Sequence, residues 1–252
     1  MRNWTMAMLP LALAMTASGC SGSITRDDKD GEKTTRVDAG PPTTKNFALT
    51  GFTGVEVAGP DDVTIRQGET FAISAKGPQA EIDELDIKLD GSTLSIGRKR
   101  EGFSFRGGDH DGVEIAITMP KLDTVRLTGS GSVDADSVDG DAVKASLTGS
   151  GDLKIARMTG KTADLTVSGS GDLAIAAGTI ASGEVGITGS GDIDAGGLAA
   201  QTLDISITGS GNVEAQATGK ADIRILGSGD VDLIGGGSCS TKTMGSGTAT
   251  CK

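Results

Sequence analysis

The tripeptide Gly-Ser-Gly recurs in this chain so regularly that it restricts the fold more than any other feature. It fills residues 129–131, 149–151, 169–171, 189–191, 209–211, 227–229 and 245–247, with spacings of 20, 20, 20, 20, 18 and 18. A period held over this many copies marks a repeat architecture, in which each unit buries its apolar face against the next. Alternating apolar residues precede each tripeptide (Val125 and Leu127; Leu165 and Val167; Ile205 and Ile207) and follow it (Val133 and Ala135; Leu153 and Ile155; Val213 and Ala215). No helical segment intervenes. Two short strands joined by a Gly-rich corner, repeating every 18–20 residues, predict one coil of a parallel β-solenoid. Seven coils stacked about 4.8 Å apart make a rod of roughly 34 Å. An all-antiparallel barrel fits poorly, because hairpins give no reason for the same corner to return in phase.

The corners are expected at Gly129, Gly131, Gly149, Gly151, Gly169, Gly171, Gly189, Gly191, Gly209, Gly211, Gly227, Gly229, Gly245 and Gly247. Without a Cβ, these residues can turn sharply at positive φ and lie directly on the corner below. A phosphate cradle of similar composition needs a following helix and usually a lysine, and neither is present.

Composition narrows the function. The chain has 252 residues, 40 of them Gly, with 2% aromatics, no Tyr and a formal charge of −11. Nucleic acid is excluded as a partner, since phosphate binding needs clustered positive charge. The only Trp, Trp4, lies in the leader, so the mature chain is expected to have neither Trp nor Tyr, which disfavours sugar or base recognition by ring stacking.

Residues 1–19 read as a secretory signal, with Arg2 ahead of an apolar stretch too short to span a bilayer. Ala17-Ser18-Gly19-Cys20 resembles the bacterial lipobox, which implies lipidation of Cys20 and cleavage before it; the alternative is an ordinary signal peptide with an incidental Cys. A lipid on Cys20 makes the membrane a partner. Ser21 in place of Asp favours the outer membrane by the enteric sorting rule. Residues 20–46 form the lipidated Cys and a polar, Pro-containing tether, with on the order of 28 Å of reach for about 26 residues.

The head is expected over residues 47–252, a less regular part at 47–120 followed by repeat coils at 121–252. All five Phe residues precede the repeats. Strands are expected at 54–58, 62–66, 71–75, 86–89, 93–96 and 113–118, a helical turn at 79–84 and a polar loop at 97–112.

The segments FTGVEVAGPDDVTIRQGE, LDGSTLSIGRK and VEIAITMPKLDTVRLTGSGSV, leading into the Gly-Ser-Gly array, resemble the putative auto-transporter adhesin family that carries the head GIN domain. The similarity covers about residues 47–250. It implies a right-handed β-helical fold on exported bacterial proteins, often lipoproteins, and supplies no catalytic residues.

Candidate sites are few. His110 is the only histidine, in a loop flanked by Asp109 and Asp111, and no second His completes a familiar zinc site or triad. The residue after each tripeptide is Ser132, Asp152, Asp172, Asp192, Asn212, Asp230 or Thr248, an acceptor column along one edge of the rod. Stacked carboxylates repel, so Asp152, Asp172, Asp192 and Asp230 are weak candidates for calcium. The bland alternative is hydrogen bonding to the local backbone at a corner. In the 18-residue register Cys239 continues the column of Leu203 and Ala221, and Cys251 that of Leu233, so both are expected to point inward. An exported compartment then permits a disulfide closing the last coil; two buried free thiols are the alternative.

These features predict a non-enzymatic, envelope-anchored surface binding module, an adhesin with a polysaccharide or protein ligand. A periplasmic structural lipoprotein is the second reading. A polysaccharide-active β-helix enzyme is the third, disfavoured because the repeats hold few basic residues (Lys144, Lys154, Arg157, Lys161, Lys220 and Arg224) and no converging cluster.

Overall fold

The computed structural model describes residues 42–99 and 112–252. These fall within one compact unit running from Ala39 to Lys252. Along the chain come β1 (Pro42–Phe47), β2 (Gly54–Gly59), β3 (Asp62–Gln67), β4 (Ala72–Pro78), the single short helix α1 (Gln79–Glu84), β5 (Leu85–Asp90), β6 (Thr93–Arg98) and β7 (Glu114–Met119). The repeats supply β8 (Thr124–Gly129), β9 (Ser132–Ala135), β10 (Val138–Gly149), β11 (Asp152–Ile155), β12 (Met158–Gly169), β13 (Asp172–Ile175) and β14 (Gly178–Gly189). Then follow β15 (Ile193–Gly209), β16 (Val213–Gly227), β17 (Val231–Ile234), β18 (Ser238–Gly245) and β19 (Ala249–Cys251).

From β8 onward each strand pairs in parallel with its equivalent one coil away, Gly on Gly and inward residue on inward residue, in a solenoid of about six turns. The predicted β-solenoid is the observed fold. A first wall carries the inward columns that include Leu127, Leu147, Val167, Ile187, Ile207 and Ile225; a second carries Val133, Leu153, Leu173, Ile193, Val213 and Val231, all buried. Each Leu or Ile buried this way contributes about 2 kcal/mol. Two walls were expected, yet there is a third. The opening residues of β10, β12 and β14 pair in parallel (Val138 on Met158, Met158 on Gly178), and Val138, Met158 and Leu198 point into the core.

The N-terminal part joins the same stack. β2 pairs in parallel with β8 and β3 with β9, so residues 54–67 form a coil in register with the repeats, with Gly59-Pro60-Asp61 as its corner. On the other side of this coil β6 pairs with β2 and β7 with β3. The first coil in the chain is therefore held between the second and the third. Antiparallel strands then close the stack, β5 on β6, β4 on β7 and β1 on β4. Ile82 of α1 is fully buried, and Phe52 packs on Phe71 at a ring separation of 4.8 Å.

Two expectations change. Residues 42–46, read as the end of the tether, belong to β1, because β4 offers them a free strand edge along Pro42–Phe47. The loop expected at 97–112 starts later, since β6 continues to Arg98. Cys20, His110 and most of the tether lie outside the described residues.

Candidate functional site

The Gly corners stand where they were expected. The first glycine of each tripeptide has positive φ, from +124° at Gly149 to +137° at Gly245. The second lies so close to the corner below that a Cβ on Gly151 would come 2.3 Å from the Gly131 carbonyl oxygen. No other residue fits there.

The acceptor column runs in register from Asp62 through Ser132, Asp152, Asp172 and Asp192 to Asn212, Asp230 and Thr248. Its upper half is hydrogen-bonded along the stack. Asp192 Oδ1 accepts from Asn212 N–H at 2.7 Å and its Nδ2 at 3.0 Å, and Asn212 Oδ1 accepts from Asp230 N–H at 3.1 Å. Asp230 Oδ1 accepts from the Thr248 backbone N–H at 2.8 Å and its hydroxyl at 2.7 Å. The Thr248 hydroxyl, then its N–H, holds the Asp230 carboxyl below the usual aspartate range. These side chains bond the next coil rather than their own corner, which corrects the expected local pattern. Among the described residues no three His, Cys, Asp or Glu side chains converge as a metal site.

Outward residues of the first wall form a ladder Lys144, Asp164, Glu184, Asp204, Asp222. Cations of the same wall compensate it. Lys144 pairs with Asp164, Arg224 Nη1 lies 2.6 Å from Asp204 Oδ1, and Lys220 Nζ 2.7 Å from Asp222 Oδ2. The Lys220 hydrogen bond, helped by the charges of Lys220 and Arg224, holds the Asp222 carboxyl below its ordinary value.

The second wall differs. Its outward column reads Thr64, Asp134, Lys154, Ala174, Asp194, Glu214 and Asp232. Beside it Ala156, Ala176 and Gly196 keep the corner low, and a groove of about 740 Å³ runs along the stack from Arg66 to Glu214. Arg66, Asp134, Asp136 and Lys154 mix both signs at one end and the carboxylates of Asp194 and Glu214 stand at the other, with a small-residue floor between. Among the described residues Arg66, Lys154 and Glu214 make no ion pair within 4.0 Å, so these charges are available to a ligand. In the sequence this ladder shows only as scattered polar residues at fixed offsets from the tripeptides.

A further polar group had no sequence signal. Asp61, 1% exposed, accepts from the Arg98 guanidinium and from Val113 N–H at 3.1 Å. Arg98 also pairs with Glu81 of α1. Burial works against the Arg98 charge, but the hydrogen bonds from Asp61 and Glu81 outweigh it and raise its pKa above the ordinary value. Asp61 thereby fastens residue 98 and residue 113, on either side of the segment 100–111. The disulfide expected at Cys239 and Cys251 is present, with the Cα atoms 6.7 Å apart. Cys239 is half-buried against the core, whereas Cys251 is exposed on β19, which among the described strands pairs with β17 alone.

A stacked parallel β-solenoid with glycine corners defines a class of rigid, repeat-built proteins. The chain belongs to the family described as "Putative auto-transporter adhesin, head GIN domain", whose model matches residues 51–237. A solved structure of a putative adhesin from Bacteroides fragilis is similar at 21% identity, covering 84% of this chain and 97% of that one, with a TM-score of 0.75. A putative adhesin from Parabacteroides merdae matches at 22% identity with the same coverage and a TM-score of 0.67. A protein from Parabacteroides distasonis described as a putative lipid binding protein matches at 21% identity, 84% and 97% coverage and a TM-score of 0.65. At these identities the likeness is one of fold. No curated protein matches the chain.

Proposed function

We propose that this chain is a lipid-anchored, non-enzymatic binding head of the bacterial envelope, which holds an extended ligand along its second wall. The observation that carries this reading is the 740 Å³ groove, whose lining comes from successive coils at a fixed pitch and whose charges are unpaired among the described residues. A site drawn from many coils suits a polysaccharide or an extended protein segment, because a polymer makes repeated contacts along it. Family membership supports adhesion as the outcome of that binding. The leader at 1–19 and Cys20 supply export and anchoring.

The test joins location to binding. Trypsin shaving of intact cells cuts the tether at Arg26, Lys29, Lys33 or Arg36 and releases the head if it stands outside; retention until the outer membrane is opened overturns the adhesin reading in favour of the periplasmic one. Purified head is then screened on polysaccharide and matrix-protein arrays. Lys154→Glu combined with Asp194→Lys is expected to lower binding at least tenfold, and unchanged binding removes the groove from the site.

A further inference from the structure

Resting on the second-wall groove as the binding face, we propose that its occupant is an extended protein segment of about six residues, with a basic side chain seated between Asp194 and Glu214. The recess is bounded. Ala135, Ile155 and Ile175 stack in register, as do Ala195 and Ala215, and the residues that follow them are Asp136, Ala156, Ala176, Gly196 and Gln216. Only the two alanines and the glycine lie low. Asp136 stands at one end of this floor and Gln216, paired with Ile234 beyond it, at the other. The second boundary has a cause in the chain. Ala195 pairs with Ala215 but Ala199 already pairs with Gln216, so residues 196–198 have no counterpart in the next coil. The extra corner residues end there, where the spacing of the tripeptides falls from 20 to 18, and Glu214 lies at that end of the recess. Asp136 and Gln216 are four rungs apart, roughly 19 Å at about 4.8 Å per rung, which an extended chain rising about 3.3 Å per residue fills with about six residues.

The charge of the cleft is uneven. Arg66 and Lys154 are matched in number by Asp134 and Asp136, while Asp194 and Glu214, neighbours in register, carry two uncancelled negative charges. Among the described residues neither has a cation within 4.0 Å, and Asp194 Oδ1 accepts the Gly196 N–H at 3.3 Å. The first wall treats its carboxylates differently: Asp164, Asp204 and Asp222 each hold a Lys or Arg of that same wall. Like charges one rung apart repel, and a cation brought by the ligand relieves the repulsion. Among the described residues no three metal-ligating side chains converge, so an ammonium or guanidinium fits this pair better than a calcium ion, which takes six to eight oxygens.

A protein segment suits the cleft better than a glycan. No aromatic side chain lines it, so a sugar ring finds no face to stack on. Both signs stand within it, Lys154 two rungs from Asp194, and a peptide presents both signs on one short chain. Ala156, Ala176 and Gly196 between them leave room for its backbone to lie across the coils.

An array of end-blocked random hexapeptides, probed with the full chain carrying Cys20→Ser so that no acyl chain is attached, tests the proposal. Bound peptides are expected to share one Lys or Arg. Replacing that residue by norleucine, or combining Asp194→Asn with Glu214→Gln, should weaken binding about fivefold, the scale of an exposed ion pair. Glu184→Gln removes an exposed carboxylate of the first wall and should change nothing; an equal loss there would mean general attraction to an acidic chain and overturn the proposal. Asp194→Lys with Glu214→Lys should select peptides bearing Asp or Glu instead. If peptides bind and are lost with Lys154→Glu and Asp194→Lys, yet share no basic residue, this inference fails and the groove stands as the binding face. Cleft-dependent binding confined to oligosaccharides, or no peptide bound at all, overturns it as well. Binding that ignores every cleft substitution removes the groove itself, and this inference with it.

Discussion

Gly169 lies directly on Gly149, one coil away, and a methyl group placed on Gly169 would stand 2.2 Å from the Gly149 carbonyl oxygen. The φ of Gly169 is +129°, a backbone region that L side chains rarely adopt. Steric contact and conformation therefore exclude a side chain independently. Gly169→Ala is expected to cost more than about 3 kcal/mol by chemical denaturation, because neither backbone can retreat without breaking the ladder. Gly186→Ala is the control. Its Cβ meets only Thr166 Cγ2 at 3.7 Å on the outward face, and the change should stay within about 1 kcal/mol.

Arg98→Met leaves Asp61 as a buried charge without its partner. The expected loss is about 3 kcal/mol, read as a lower urea midpoint, since truncating one member of a buried pair costs more than the pair itself contributes. A loss below about 1 kcal/mol would show that solvent reaches Asp61 and that the pair is not what fastens residues 98 and 113.

Reduction of the Cys239–Cys251 disulfide should act locally. The bond closes 12 residues of sequence separation, for which chain entropy gives about 3 kcal/mol. Amides of β18 and β19 are expected to exchange faster after reduction while those of β12 stay protected. Uniform loss of protection would mean that the last coil supports the whole stack.

The Asp230 carboxyl titrates below the ordinary aspartate value, about 3.9, because it accepts two hydrogen bonds from Thr248. Its contribution is thus complete above that value and disappears as pH falls through the lower, folded-state one. Asp230→Asn is expected to lower the melting temperature at pH 7 and to match the wild type once the carboxyl is protonated. A difference that persists in strong acid would assign the effect to packing.

The repeat was legible because its two glycine positions are fixed by backbone contact, and because alternating residues on two walls keep one phase with them. The third wall left little trace. It contributes few inward residues per coil, such as Val138 and Met158, too few for alternation to stand out, and Gly178 interrupts the column. The coil at residues 54–67 was hidden by Pro60-Asp61 in the place of Ser-Gly, and its position between two other coils follows from pairing across the stack, which no local pattern records. β1 has no apolar alternation; the free edge of β4 makes it a strand. The Cys pair was legible from the 18-residue register, whereas the exposure of Cys251 was not, because its column is inward in the coil beneath, at Leu233. Asp61 and Arg98 meet across 37 residues of sequence. The groove of the second wall emerges only when residues about 20 apart are laid side by side.

The coil at residues 54–67 has a consequence for how the molecule comes to exist. Both of its faces are taken by segments that follow it in the chain, first by β6 and β7, then by β8 and β9. From there on, only one edge remains open for growth, and each turn needs only the turn just laid down as its mould. A chain made from its N-terminus can set its rungs in the order in which they are synthesised. Losing or duplicating a rung then changes the reach of the rod and leaves its foundation untouched, which gives this architecture a simple way to vary in length by inheritance.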